Sequence, residues 1–152
     1  MDRVSTEIRK KTMRAVKSKG TKLETKVYKE LWRNGFRFSK NVSKLKGKPD
    51  IAIKKYKVAI FIDSCFWHGC NLHCRYPVSN QDYWKQKIEG NKIRDDEVKN
   101  FYKQNNWNIL RVWEHDIKNN FTEVIFNIEN FIKDAKKLSS TLNGNKQQNV
   151  RA

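Results

Sequence analysis

The 152-residue sequence has little cysteine, few acidic residues and no long apolar run. Its three cysteines, Cys65, Cys70 and Cys74, lie within ten residues of one another. An odd and clustered set argues against a secreted disulfide framework and for a reduced chain with a metal site. No stretch approaches the roughly 18 apolar residues of a membrane span. The opening MDRVSTEIRKK has no apolar segment behind its charges, so no secretory signal and a cytoplasmic location are expected. Only 16 Asp and Glu stand against 33 Lys and Arg, a net charge of +17. That excess on a chain of one-domain length demands a polyanionic partner, with nucleic acid ahead of an acidic membrane or protein. Hydrophobic residues at 38%, aromatics among them, suffice to fill one core.

The chain divides by composition. Residues 1–20 carry seven basic side chains, from Arg3 to Lys19, over a thin stripe of Ile8, Met13 and Val16. This predicts a basic arm that lies on a surface. Thr21 and Glu24 form a capping-box pattern ahead of Val27, Tyr28, Leu31 and Trp32 at helical spacing, with Gly35 as the stop. Phe36 and Phe38 alternate with basic residues, and the loop Lys46-Gly47-Lys48-Pro49 follows. Asp50-Ile51-Ala52-Ile53 and Val58-Ala59-Ile60-Phe61-Ile62, joined by a short turn, predict an antiparallel strand pair. A Cys/His-rich loop over 64–80 precedes a long helix from about 81 to 105, a strand over 107–113 and a last helix over 122–136. The aperiodic end, 137–152, reads as a disordered tail. The order predicts one α/β domain over 21–136, a sheet flanked by helices.

Four constellations carry chemistry. The first is Cys65, Cys70 and His73, with His115 just after a strand end; a closed Cys2His2 set suits structural Zn²⁺. Cys74 is an alternative to His73, and ordinary buried thiols are the plain alternative to a metal. The second is acidic: Asp50 opens a strand behind a basic loop and is a candidate Mg²⁺ ligand, though a turn Asp has the same sequence signature. Asp63 ends the neighbouring strand, as a nearby second carboxylate or as a polar cap. The third lies on the long helix, where Trp84, Ile88, Asn91, Asp95, Val98 and Tyr102 share one face. A carboxylate there needs a partner. His68 would make Asp95 part of a general-base pair, whereas Arg94 or a lysine would make it structural. Glu24, on a core-facing stripe, is either a capping residue or a functional acid. Phe66 and Trp67 form the fourth and invite stacking on bases or wedging between them, against the plainer reading of a small core around zinc. Met13 beside Arg14 is either a wedge or a packing residue.

These motifs assemble into a recognisable set. Thr12-Met13-Arg14-Ala15-Val16, Thr21 with Glu24, and Gly47-Lys48-Pro49-Asp50 are followed by an apolar strand running into Asp63-Ser64-Cys65-Phe66-Trp67-His68-Gly69-Cys70. Trp84, Lys87, Ile88, Asn91, Arg94 and Asp95 come next, and then Trp107 through His115. From Asp2 to Lys118 the chain resembles the very-short-patch repair (Vsr) endonucleases, DNA mismatch nickases on a PD-(D/E)xK core.

The resemblance implies a restriction-endonuclease-like fold with a mixed central sheet and a structural zinc site. It implies an Mg²⁺-dependent endonuclease that nicks duplex DNA on the thymine strand of a T:G mispair, starting repair of deaminated 5-methylcytosine. Asp50 and the backbone carbonyl of Ile62 are the implied Mg²⁺ ligands, and His68 with Asp95 the implied general-base pair. Glu24 and Asn91 complete the implied catalytic set. Cys65, Cys70, His73 and His115 are the implied zinc ligands, while Phe66, Trp67 and Met13 are the implied wedges. Arg14 and Lys48 are expected on the DNA backbone. The implied protein is a monomer, linked to a cytosine-5 DNA methyltransferase and, as a candidate partner, to a mismatch-repair ATPase. Two rivals stand beside this reading: a site-specific restriction-like endonuclease on the same core, and a non-catalytic zinc-stabilised DNA-binding module.

Overall fold

The computed structural model describes residues 22–65 and 79–150, with 142–150 as backbone alone. The basic arm with Met13 and Arg14, and the loop with Phe66, Trp67, His68, Cys70, His73 and Cys74, lie outside the described residues. Within them, helix α1 (Lys22–Arg33) leads into strands β1 (Ser39–Lys40), β2 (Ile51–Ile53) and β3 (Val58–Asp63). Helix α2 (Gln81–Gln104), strand β4 (Asn108–Trp113), the short α3 (Glu114–Asn119) and α4 (Phe121–Val150) follow.

The four strands form one mixed sheet in the order β1-β2-β3-β4. β2 and β3 pair antiparallel, with Ile51 opposite Ile60 and Ile53 opposite Val58, as their spacing predicts. The connection between them is a 3₁₀ turn at Lys54–Tyr56 closed by Lys57 in the left-handed region. β3 and β4 run parallel, from the pair Val58–Asn108 to the pair Asp63–Trp113. A parallel pair needs a long crossover, and α2 lies within that connection.

β3 alternates between two cores, as a strand buried on both faces must. Val58 and Ile60 join Val27, Tyr28 and Leu31 of α1 and Val124, Ile125, Ile128, Ile132 and Ala135 of α4. Ala59 and Phe61 join Val98 and Tyr102 of α2, with Trp107 and Ile109 packed alongside. The result is a three-layer α/β/α arrangement. The stripe predicted on α2 is the one that faces inward: Ile88, Val98 and Tyr102 are buried, and Trp84, Asn91 and Asp95 are half-buried.

Three expectations need correction. Trp32 does not join the α1 stripe; it is 52% exposed, with the Arg37 guanidinium 3.7 Å from its ring centroid. The stripe at Val27, Tyr28 and Leu31 already fills the contact with the sheet, and Trp32 falls on its outer side. The last helix does not stop near 136 but continues to Val150. Its inward stripe ends at Ala135 and Leu138 is exposed, so the extension is helix without a core contact among the described side chains. No proline interrupts that stretch, and backbone hydrogen bonding carries the helix on. The short helix α3 after β4 was not foreseen. No helix among the described residues is long and apolar enough to cross a membrane.

The loop ahead of Asp50 is held against α2. The Tyr102 hydroxyl donates to the Lys46 carbonyl at 2.6 Å. Gly47 has φ +77°, and a Cβ there would sit 2.8 Å from Val98 Cγ1 and 3.2 Å from Phe61 Cε1. Gly47→Ala is therefore expected to cost about 1–3 kcal/mol, from overpacking and from the positive φ together. Tyr102→Phe is expected to cost about 1 kcal/mol through the lost hydrogen bond. Urea unfolding checks both; a Gly47→Ala protein as stable as the parent would show that the loop does not rest on α2.

Candidate active site

Two clusters of acidic side chains lie around the β3 strand. The first centres on Asp50, which immediately precedes β2 and is 1% exposed. The preceding Gly47 and Lys48 take positive φ, which turns the chain into the strand. Asp50 Oδ2 accepts a hydrogen bond from the Ile62 amide at 2.7 Å. The N–H and C=O of one strand residue share an edge, so the Ile62 carbonyl is directed to the same side. The two implied Mg²⁺ ligands are thus neighbours.

Glu24, on the inner face of α1, is 3% exposed. Its burial sets it among the core residues of that helix; Thr21, the other half of the capping box, lies outside the described residues. Tyr28, one turn on, feels both acids. Its phenol is pushed up, first by burial, then by the Asp50 and Glu24 charges, so it stays protonated. Its buried hydroxyl has no hydrogen-bond partner among the described residues. Two buried carboxylates beside an unsatisfied hydroxyl are costly without a cation or ordered water to complete them. The donor set is all oxygen, which suits a hard divalent ion.

The second cluster joins β3, β4 and α2. Arg111, in the middle of β4, places Nη1 at 2.9 Å from Asp63 Oδ1 and 3.1 Å from Oδ2. Its Nη2 lies 3.5 Å from Asp95 Oδ1, and its guanidinium carbon is 4.4 Å from the Phe61 ring centroid. Asp63 therefore faces a guanidinium. Among the described residues Asp95 has Arg111 as a partner. Arg94 instead donates from Nη2 to Asn91 Oδ1 at 2.7 Å.

Of the implied zinc ligands, Cys65 and His115 are described, and they meet: Cys65 Sγ lies 3.3 Å from His115 Nδ1. Tetrahedral bonds of about 2.3 Å to sulfur and 2.0–2.1 Å to nitrogen set two such ligands about 3.5 Å apart, so the pair fits zinc. The other ring nitrogen, Nε2, lies 3.4 Å from Asp116 Oδ1, the carboxylate backing that metal-bound histidines use. Among the described residues no group of three or more metal-ligating side chains forms. Lys48 is exposed at the head of the Asp50 loop.

Sequence reasoning overlooked two participants. Tyr28 was read only as core, and its neighbours in space could not be seen from helical spacing. Arg111 carried a signal: a lone charge within Ile109-Leu110-Arg111-Val112 must find a buried partner.

Comparison with known proteins gives the family. The family profile described as DNA mismatch endonuclease Vsr matches residues 1–75. A type II nicking enzyme of Neisseria meningitidis serogroup C is 42% identical over 141 residues, covering 91% of this chain and 95% of that one. A type II nicking enzyme of Haemophilus parainfluenzae is 46% identical over 123 residues, 79% of this chain and 87% of that one. The DNA mismatch endonuclease Vsr of Escherichia coli strain K12 is 32% identical over 109 residues, 70% of this chain and 69% of that one. The chain belongs to the Vsr family. It is a DNA nicking endonuclease with the restriction-endonuclease-like fold and divalent-metal dependence which that family implies, and the non-catalytic rival is set aside.

The orphan Tyr28 hydroxyl makes a stability test of the first cluster. Tyr28→Phe is expected to change unfolding free energy by less than about 1 kcal/mol, since no protein hydrogen bond is lost. A loss above about 2 kcal/mol in urea would show that the hydroxyl bonds a residue beyond those described.

Proposed function

We propose that this chain is an Mg²⁺-dependent nickase that cuts one strand of duplex DNA within a short defined site, in the company of a type II restriction system. The observation that carries the reading is its 42% identity, across nearly the whole of both chains, with a type II nicking enzyme. This moves the site-specific alternative ahead of mismatch repair as such. A second reading keeps its support from the family's description and from the Escherichia coli relative: the nick falls on the thymine strand of a T:G mispair. The two merge if the mispair lies inside the recognition site, as deamination of a 5-methylcytosine made by a cognate cytosine-5 methyltransferase would leave it. In that case a mismatch-repair ATPase is a candidate partner.

The chemistry follows from the residues. His68 takes the proton from the attacking water, and Asp95 fixes the imidazole and favours its charged form. Asp50 and the Ile62 carbonyl hold Mg²⁺, with Glu24 close by and Asn91 positioning water or phosphate. Bound there, Mg²⁺ supplies Lewis-acid stabilisation of charge on the phosphate. Cys65, Cys70, His73 and His115, with Cys74 in reserve for His73, hold a zinc ion that keeps Phe66, Trp67 and His68 in register. Met13, Phe66 and Trp67 wedge the duplex, which costs least at a mispaired step. Arg14 and Lys48 contact the phosphates. The protein acts as a monomer.

End-labelled duplexes decide between the readings. A panel covering short palindromic contexts, each fully paired or with one T:G pair, is incubated with Mg²⁺ or EDTA. A single Mg²⁺-dependent nick in one context is expected, with Asp50→Ala slower by at least about a hundredfold. Cutting of the paired duplex in that context supports the site-specific reading alone, and cutting only of the mispaired one supports the merged reading. Nicking at T:G in every context would sink the site-specific part. Zinc is checked by metal analysis of the purified protein. One ion per chain is expected, lost in Cys65→Ser/His115→Ala; a zinc-free parent protein would remove the structural zinc from the account.

A further inference from the structure

Arg111 is the one described residue that reaches both Asp63 at the end of β3 and Asp95 on α2. Its two contacts differ. The contact with Asp63 involves both carboxylate oxygens, at 2.9 and 3.1 Å, and the Asp63 side chain is only 5% exposed. The contact with Asp95 is longer, 3.5 Å, and its carboxylate is 24% exposed. The first is an anchor of the fork type that guanidinium suits. The second is a looser arm towards a carboxylate that has a role in the reaction. The Phe61 ring beneath the guanidinium closes off a third direction. Arg111 and Phe61 are paired neighbours across β3 and β4, so the strand register itself sets the cation between the two acids.

We propose that Arg111 is a positioning residue for nicking: anchored by Asp63, it holds Asp95 in one orientation for the histidine that Asp95 serves. The proposal rests on the active-site reading above and adds a residue to it. Asp63 acts only through Arg111. No sequence preference and no DNA contact is assigned to either.

A purely structural clamp makes a different prediction. Removing Arg111 strands the buried Asp63 charge, so Arg111→Met alone is expected to lose stability. The double variant Arg111→Met/Asp63→Asn removes both charges, and its Tm is expected to return towards the parent value. Single-turnover nicking at saturating enzyme, the Kd for the same duplex, and Tm are measured for Arg111→Lys, Arg111→Met, Asp63→Asn and the double variant. The duplex is the one the parent enzyme nicks in the panel above.

In the double variant the single-turnover rate is expected to stay about ten- to a hundredfold down, the range for residues that orient an active-site group. Its DNA Kd should move less than threefold. Arg111→Lys, which keeps the charge but not the fork, should recover part of the rate. If the rate returns with Tm in the double variant, Arg111 is structural and the proposal fails. If Kd weakens while the single-turnover rate holds, Arg111 is a DNA contact and the proposal fails in that direction. Asp50→Ala and Asp95→Asn run alongside. Parent-like nicking by both overturns the active-site reading and this proposal with it. Loss in those two with an unimpaired double variant overturns this proposal alone.

Discussion

Everything in this molecule is built on β3. It is the longer of the two inner strands, antiparallel to β2 and parallel to β4. Val58, Ala59 and Ile60 are wholly buried, and Phe61 nearly so. A strand with no solvated face cannot slip by one residue without exchanging its two cores, so its register is strongly specified. That register carries Ile62 to the amide bond with Asp50 and Phe61 beneath Arg111. It also delivers Asp63 to the guanidinium and Cys65 to His115. The site inherits its precision from hydrophobic packing that takes no part in the chemistry.

Charge is arranged against the overall balance. A chain of net charge +17 buries Asp50, Glu24 and Asp63. Surface lysines and arginines give the attraction to a polyanion, which salt screens and which carries no geometry. The acids carry the geometry. Each is costly to bury and so must be held by something specific: an amide for Asp50, a guanidinium for Asp63. In the function proposed above, the basic exterior collects DNA while the acidic interior holds a metal and orients a base. The likeness to type II nicking enzymes fits this division, because a common core can serve different sites if recognition lies on its surface and loops.

Much of this was legible before folding. The apolar blocks at 51–53 and 58–62 announced an antiparallel pair because strand spacing and a short connection leave little else. The inward face of α2 was legible because 4-3-4-3-4 spacing is a property of any helix. Glu24 and Asp95 were legible as odd acids on apolar helix faces, whereas Asp50 shared its signature with a turn Asp. Trp32 was misplaced because helical spacing admits a residue to a stripe without saying how wide the facing surface is. The end of α4 was misjudged because helix continuation needs only backbone bonding, whereas the sequence test looked for a buried face.

Periodicity and composition by themselves determined most of the element order, the antiparallel pairing of β2 and β3, the polyanion-binding character and the short list of acids and metal-ligand candidates. These follow from spacing and charge along one chain. The partners were decided in three dimensions. Asp63 and Arg111 are 48 positions apart, and Cys65 and His115 are 50 apart. Tyr28 feels the charge of Asp50 across the α1–sheet interface. Such pairs depend on the crossover that sets β4 beside β3 and on the angle at which helices pack, and neither is encoded in local spacing.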